Sequence, residues 1–253
     1  MESVIVMPVA HRPEFLALTL ERLDVIPDLP PVMVFLDDVS QEKKDEAMWV
    51  FARYAPRGAG VFERESHIHA PSGCWNILQS LKNGYEMGAE RVFLVEEDVA
   101  VTPEWLDWSL ETLATGKYLA TCGRRSKFTE IYGDYYTNPG ACLTRELLEN
   151  LVPHINDGYF MFLRSYLDTC FPPQWDEMSD LDDGLIRRVI RSMHGKVAYP
   201  AQPVVAHQGY WAYEERMAGY HVTGTIEERI AGLRRLLSTL PTGDRYTRDL
   251  ERL

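Results

Sequence analysis

The chain has 253 residues, 45% of them hydrophobic and 25% charged, with a formal net charge of −12. That is the make-up of an ordinary globular protein long enough to bury a large core, and it excludes a disordered chain. The acidic balance argues against a protein that coats polyanions, because counterion release needs clustered Lys and Arg.

The opening Met1-Glu2-Ser3-Val4 lacks the basic stretch of a secretion signal, and no apolar run approaches the ~20 residues that cross a bilayer. Residues 4–9 read instead as a buried strand. Pro13 stands where a helix starts, and Phe15, Leu16, Leu18, Leu20 and Leu23 give that helix a broad apolar face. A second strand over 31–36 ends on Asp37-Asp38, and Ser40 is placed to cap the helix that carries Ala47, Trp49, Val50 and Phe51. Residues 60–64 form a weaker third strand. Pro71-Ser72-Gly73 opens a helix over about 74–87, striped by Trp75, Ile77, Leu78 and Leu81. A fourth apolar strand, 91–95, runs straight into Glu96-Glu97-Asp98.

The second half is less regular. Strands are expected at 118–122, 196–199 and 204–206, and helices at 144–151, 159–167 and 182–193, the last ending near Gly195 as a cap. A charged amphipathic helix spans about 225–237, and the last dozen residues read as a tail. Strand–helix alternation predicts an α/β fold with a mixed, mostly parallel sheet and helices on both faces. One domain over 1–215, in two halves (1–100 and 101–215), followed by a helical extension and tail over 216–253, is the expected organisation. Cys74, Cys122, Cys142 and Cys170 show no CxxC pair or zinc spacing, so free thiols and a cytoplasmic setting are expected.

In such sheets ligands bind beyond the carboxyl ends of the strands. Three of those ends deliver polar residues: His11-Arg12, Asp37-Asp38 and Glu96-Glu97-Asp98. Alternate residues of an extended chain point the same way, so Glu96 and Asp98 converge while Glu97 turns elsewhere. Converging carboxylates suit Mg²⁺ or Mn²⁺. The bland alternative is an acidic turn before a helix capped by Thr102. Asp182-Asp183 offers a general base or, more simply, a helix N-cap supplied by Asp180 or Asp182. His207, after an apolar strand, is a third cation ligand or a structural histidine. His67 and His69 read as surface or substrate-loop residues. Arg124-Arg125-Lys127 could meet a pyrophosphate, whereas Arg187, Arg188, Arg191, His194 and Lys196 read as a solvated face. Tyr132, Tyr135, Tyr136, Trp175 and Trp211 either stack on a sugar or base or pack in the core.

Taken in order, these segments resemble GT-A-fold glycosyltransferases. Met7-Pro8-Val9-Ala10-His11-Arg12-Pro13-Glu14-Phe15-Leu16 is similar to the start of inverting family-2-type enzymes. The stretch from Val92 through Glu96-Glu97-Asp98 to Thr102-Pro103-Glu104-Trp105 looks like the N-acetylglucosaminyltransferase I group, whose DxD-like triplet ends in the metal-binding Asp. Asn138-Pro139-Gly140 resembles the loop that shapes the acceptor side, Leu181-Asp182-Asp183-Gly184-Leu185 the base motif, and residues 204–209 the closing strand with its His. The triplet departs from Asp-x-Asp, and Leu181 replaces the usual Glu or Trp.

The resemblance implies a Rossmann-like nucleotide-binding half and an acceptor-side half. Asp98, His207 and Glu96 would hold Mn²⁺ or Mg²⁺. Pro8, Ala10, Arg12, Asp37, Asp38, Glu96 and Glu97 would line the site of a nucleotide-diphosphate sugar, a UDP-sugar foremost. Asp182, with Asp183 second, would take the proton of an acceptor hydroxyl during inverting transfer. A nucleotidyltransferase is the rival enzyme, but it needs a Gly-rich phosphate loop after the first strand, and residues 8–13 contain no Gly. A carbohydrate-binding protein without chemistry is the other rival. The acceptor stays open among glycan, lipid-linked sugar, protein, small molecule and hydroxylated DNA base, the last disfavoured by the acidic charge.

Overall fold

The computed structural model describes residues 1–10, 12–64, 72–124, 132–133, 135–175, 178–208 and 224–239. The elements in chain order are β1 (Ser3–Val9), α1 (Pro13–Asp24), β2 (Val32–Leu36), α2 (Gln41–Tyr54), β3 (Gly60–Glu63), α3 (Ser72–Glu86) and β4 (Arg91–Leu94). Next come β5 (Val99–Val101), α4 (Trp105–Ala114), β6 (Ala120–Thr121), β7 (Tyr132–Gly133), β8 (Ala141–Thr144) and α5 (Arg145–Leu151). The chain continues through α6 (Asp157–Cys170), α7 (Asp182–Ser192), β9 (Val197–Ala198), β10 (Val205–His207) and α8 (Ile226–Thr239).

An eight-stranded sheet in the order β3-β2-β1-β4-β8-β6-β9-β7 forms the frame. The four strands β3, β2, β1 and β4 pair in parallel, as crossover helices require, and β8 joins β4 antiparallel. All seven residues of β1 are buried, so it is a strand covered on both faces. Its alternation divides the core. Val4 and Val6 face α3, α5, α6 and α7, while Ile5, Met7 and Val9 face α1, α2, α4 and α8. The mixed, mostly parallel sheet with helices on both faces is therefore present.

Some local expectations change. A short antiparallel ribbon of β5 and β10 stands between Glu96-Glu97-Asp98 and α4, and Thr102 does not cap that helix: position 104 precedes it without a side-chain cap. Glu97 and Asp98 are 4% and 0% exposed, which rules out a solvated acidic turn. At the end of α7 it is His194, at φ 53°, that takes the left-handed conformation, not Gly195. Gly195 is needed for space, since a Cβ there would lie 2.2 Å from the Leu119 side chain. Helix α6 is kinked at Phe162. All four cysteines are free thiols, three of them buried. Among the described residues no helix is long and apolar enough to cross a membrane.

The helix expected in the C-terminal extension, α8, packs on the outer face of α1 and α2. Its Arg229, 7% exposed, meets Glu46 of α2 at 2.6 Å and Glu14 of α1 at 3.7 Å. Burial works against ionisation of Glu46, yet Arg229 and Lys43 outweigh it and hold its carboxyl below the usual range. Removing one member of a buried ion pair strands the other charge, so Arg229→Ala is expected to cost about 3–5 kcal/mol in urea denaturation. A loss under about 1 kcal/mol, the size of a surface pair, would show that this contact does not dock α8.

Candidate functional site

The site begins where β4 leaves the sheet. Glu97 turns inward. Its carboxylate accepts the Ala10 N–H at 2.9 Å and Arg12 Nε at 3.2 Å, and its carbonyl accepts the Thr19 hydroxyl at 2.7 Å. These contacts tie the β1–α1 loop to the end of β4. Asp98 shares the Arg12 guanidinium with Glu97 and groups with Glu96.

The β5–β10 ribbon brings in the third residue. Val99 pairs with His207, and the Gln208 N–H reaches the Asp98 carbonyl at 2.7 Å. His207 Nε2 then lies 3.3 Å from Asp98 Oδ2, which also accepts a hydrogen bond from Arg12. Ligand atoms of Glu96, Asp98 and His207 all fall within 4.8 Å of one another. Burial opposes ionisation of Asp98, but His207 and Arg12 outweigh it and hold the carboxyl below its ordinary range. Burial, with Asp98 and Asp182 adding, pushes Glu96 up to about 7 against the pull of His207 and Arg12. His207 is itself raised, because Asp98 and Glu96 overcome the effect of burial. Asp98 Oδ1 is buried with no hydrogen-bond partner. An orphaned carboxylate oxygen beside a second carboxylate and an imidazole fits a divalent ion of the Mn²⁺ or Mg²⁺ kind, and the imidazole favours the former.

The remaining strand ends complete one rim. Pro8 is the buried penultimate residue of β1, and Ala10 and Arg12 are half-buried beyond it. Asp37 is buried and its Oδ1 accepts the Asp38 N–H at 2.9 Å, while Asp38 itself is exposed. Next to Asp37 stands a residue that sequence reasoning missed. Arg64, just past β3, lies over the Phe35 ring at 4.3 Å and bonds Asn76, Ser80 and Asn83 of α3 at 3.1, 3.0 and 2.6 Å. Burial lowers its pKa to about 10, opposed by the charge of Asp37. The signal was available: polar residues at 76, 80 and 83 share one helix face.

The acceptor-side carboxylate sits on α7. Asp182 is 7% exposed and accepts hydrogen bonds from Asn138 Nδ2 and from the Cys74 thiol. Burial, with Asp183 adding and Asn138 opposing, pushes its carboxyl up to about 6. Asp183 is half-buried and turned onto the Gly184 N–H at 2.8 Å. Neither caps the helix, because Leu181 holds the cap position without a side-chain bond and Asp180 pairs with Arg164 and Arg188. Gly184 does not leave an open approach: a Cβ there would lie 1.7 Å from the Ser179 carbonyl oxygen, so the preceding loop crosses over it.

The basic run on α7 is not a solvated face. Arg188 is 2% exposed and donates to the carbonyls of Trp175, Met178 and Ser179. Arg187 lies over Tyr135 at 4.9 Å and Arg191 over Trp175 at 5.3 Å. Tyr136 is core, at 1% exposure. His11, His67, His69, Arg125, Lys127, Gly209 and Trp211 lie outside the described residues. A cavity of ≈ 590 Å³ lined by Tyr118, Thr144, His194 and Lys196, among others, shares no residue with this constellation and gathers no converging carboxylates.

No protein-family model matches the sequence, and no curated protein matches it. Solved structures do. Residues 1–349 of S. aureus TarS align with a TM-score of 0.53 at 13% identity, covering 94% of this chain and 69% of that one. A mannosyltransferase from Pyrobaculum calidifontis, in complex with GDP-Man and Mn²⁺, aligns at 0.53 and 15% identity over 93% of this chain and 69% of its own. A cytidylyltransferase from Leptospira borgpetersenii aligns at 0.50 and 12% identity over 94% and 96%. At such identities the likeness is one of fold, and the fold is GT-A-like.

The raised carboxyl of Asp182 has a consequence for stability. A group whose folded pKa lies above its unfolded value of about 3.8 favours folding at low pH, and that contribution is lost as pH rises through about 6. Asp182→Asn keeps an acceptor for Asn138 and removes the buried charge. The variant should therefore match wild type near pH 4 and exceed its unfolding free energy above pH 6, by up to about 3 kcal/mol. Denaturation at several pH values checks this; a variant less stable at pH 7.5 would contradict it.

Proposed function

We propose that the protein is a glycosyltransferase that moves a sugar from a nucleotide-diphosphate sugar, a UDP-sugar foremost, to an acceptor hydroxyl with inversion. The observation that carries this reading is the pairing of two unlike acidic centres on one sheet edge. The trio Glu96, Asp98 and His207 has an orphaned oxygen that a cation would satisfy. Asp182 is a separate buried carboxylate whose charge is nevertheless felt at Glu96. One centre suits the leaving diphosphate and the other suits the attacking hydroxyl.

Asp98, His207 and Glu96 would hold the ion, and a divalent cation there supplies neutralisation of the charge left on the nucleoside diphosphate. Asp37 and Asp38 serve the nucleotide's base and ribose. Pro8, Ala10 and Arg12 wall the same pocket, and Glu97 shapes it from beneath by holding the latter two. On the acceptor side, Asp182 in its ionised form takes the hydroxyl proton as that oxygen bonds to the anomeric carbon and the bond to the diphosphate breaks. One carboxylate acting as base on the acceptor face fits one displacement with inversion. The Mn²⁺ complex of the Pyrobaculum mannosyltransferase supports the cation and the nucleotide sugar by analogy of fold.

The cytidylyltransferase of similar fold keeps the nucleotidyltransferase rival in view. Against it stands the β1–α1 turn, which lacks glycine between Pro8 and Pro13. A non-catalytic sugar-binding protein is disfavoured on physical grounds. An unpaired Asp98 oxygen and a desolvated Asp182 both reduce stability, and such groups gather where chemistry uses them.

Two measurements test the reading. Calorimetry with UDP should show binding in Mn²⁺ that weakens at least ~10-fold, about the 1.4 kcal/mol of one decade, in EDTA or in Asp98→Ala. Equal affinity in all three conditions would remove the cation from the mechanism. Nucleotide release from UDP-sugars should fall ~10²–10⁴-fold in Asp182→Asn while UDP–Mn²⁺ binding persists, with Asp183→Asn much milder. Because the base must be ionised, wild-type turnover should decline as pH falls below about 6. A dead Asp183→Asn beside an active Asp182→Asn would move the base by one residue.

A further inference from the structure

We infer that Asn138 is the positioning residue for Asp182, and that its turn holds the base at a fixed distance from the cation trio. The inference rests on the glycosyltransferase reading for its catalytic meaning, but not for its geometry. Asn138 Nδ2 donates to Asp182 Oδ2. The amide has its orientation for a reason, because the flipped form would set two oxygens against each other. In the observed orientation Asn138 Oδ1 is buried without a partner. A buried acceptor left unpaired costs stability, so the bond to Asp182 is held at the expense of the rest of the side chain.

The turn is rigid for stated reasons. The Asn138 carbonyl accepts the Ala141 N–H at 3.0 Å. Gly140 has φ 62°, and its carbonyl accepts Trp105 Nε1 at 2.8 Å. A Cβ on Gly140 would lie 2.4 Å from Val205 Cγ1, so β10 presses directly on this backbone. Val205 is two residues before His207 on the same strand. One packed path thus runs from His207 through Val205, Gly140 and Asn138 to Asp182.

The other groups facing Asp182 do not substitute for the amide. Cys74 reaches it from α3, but burial pushes that thiol up to about 12, so it stays a weak neutral donor. Glu96 at the end of β4 and Asp183 on its own helix are acidic. Tyr136, beside Asn138, is within the reach of its charge, and so is Tyr159 of α6, whose hydroxyl is given to the Asp180 carbonyl at 2.9 Å. Asn138 is the largest of the stabilising donors, ahead of the backbone and of the Cys74 thiol.

The test compares wild type, Asn138→Ala and Asn138→Asp, each with and without Asp182→Asn. The first readout is unfolding free energy against pH, which needs no substrate. The pH above which the destabilisation by Asp182 levels off, about 6 in wild type, should rise in Asn138→Ala and further in Asn138→Asp. The second is UDP release from UDP-sugars in Mn²⁺ with water as the acceptor. There kcat should fall ~10–100-fold near pH 6 and recover in part at pH 8, with donor KM within about twofold. A purely structural residue would lower turnover equally at both pH values. An unchanged stability profile overturns the Asn138–Asp182 link, and a shifted profile with unaltered turnover overturns its positioning role. Failure of wild type to release UDP from any UDP-sugar overturns the glycosyltransferase reading instead, leaving the stability profile to decide the link.

Discussion

The whole edge of this molecule hangs on the inward turn of Glu97. A carboxylate buried at the end of a doubly covered strand is tolerable only when its oxygens are bonded. Ala10 and Arg12 supply those bonds, and Thr19 anchors the backbone between them. Residues 96–99 form a turn closed by the Val99 N–H on the Glu96 carbonyl, and that turn gathers Glu96 and Asp98 beside His207. The same contacts fix the β1–α1 loop that walls the proposed donor site. A single buried acid therefore ties the β1–α1 loop to the turn that carries the other two carboxylates.

Much of this was legible beforehand, for a physical reason. Strands buried on both faces and helices with a broad apolar stripe announce themselves through hydrophobic period, and the sheet from β3 to β4 follows from them. The end of such a strand is also where polar residues are informative, which singled out Glu96 and Asp98. What sequence could not supply was partnership across distance. Nothing in the pattern of residues 204–207 indicates that they pair with 99–101, yet that pairing is what delivers His207 to Asp98. The three-residue β5 was too short to show a period, so its place read as a turn running into a helix capped by Thr102. Arg188 read as surface because charged residues are rarely interior, but it is enclosed by the carbonyls of a loop folded back on α7. Asp180 and Asp182 looked like helix caps because acidic residues favour that position. The distinct surroundings of Asp182 and Asp183 show only in the partners the fold brings, Asn138 from 44 residues upstream for Asp182 and the Gly184 N–H for Asp183.

The electrostatics of the two centres differ in kind. Around Asp98 the cations Arg12 and His207 compensate burial and keep the carboxyl ionised. Around Asp182 the partners are the neutral Asn138 amide and Cys74 thiol, and burial prevails. A carboxylate kept ionised by its surroundings suits the proposed ligand role. One that is desolvated and held by a neutral amide is better fitted to gain and lose a proton near neutrality. The division of labour proposed for the two centres thus follows from which neighbours the fold gives each of them, and not from their shared residue type.

A GT-A-like sheet is common to a mannosyltransferase and to a cytidylyltransferase, so fold alone leaves the direction of attack undecided. Both chemistries place a divalent ion against phosphate oxygens. They differ in which atom is attacked, the anomeric carbon or the α-phosphorus, and hence in where a proton acceptor has to stand. Attack at the sugar carbon brings the hydroxyl in on the side of the site away from the diphosphate. A base supplied there has to come from outside the parallel strand ends that form the proposed nucleotide site. Asp182 meets that requirement, since α7 follows the antiparallel half of the sheet and reaches the site through Asn138 and Cys74. A nucleotidyltransferase would instead need its cations on the β1–α1 turn, where Arg12 is already engaged with Glu97 and Asp98. The position of the second acid, not the presence of the first, is what favours sugar transfer.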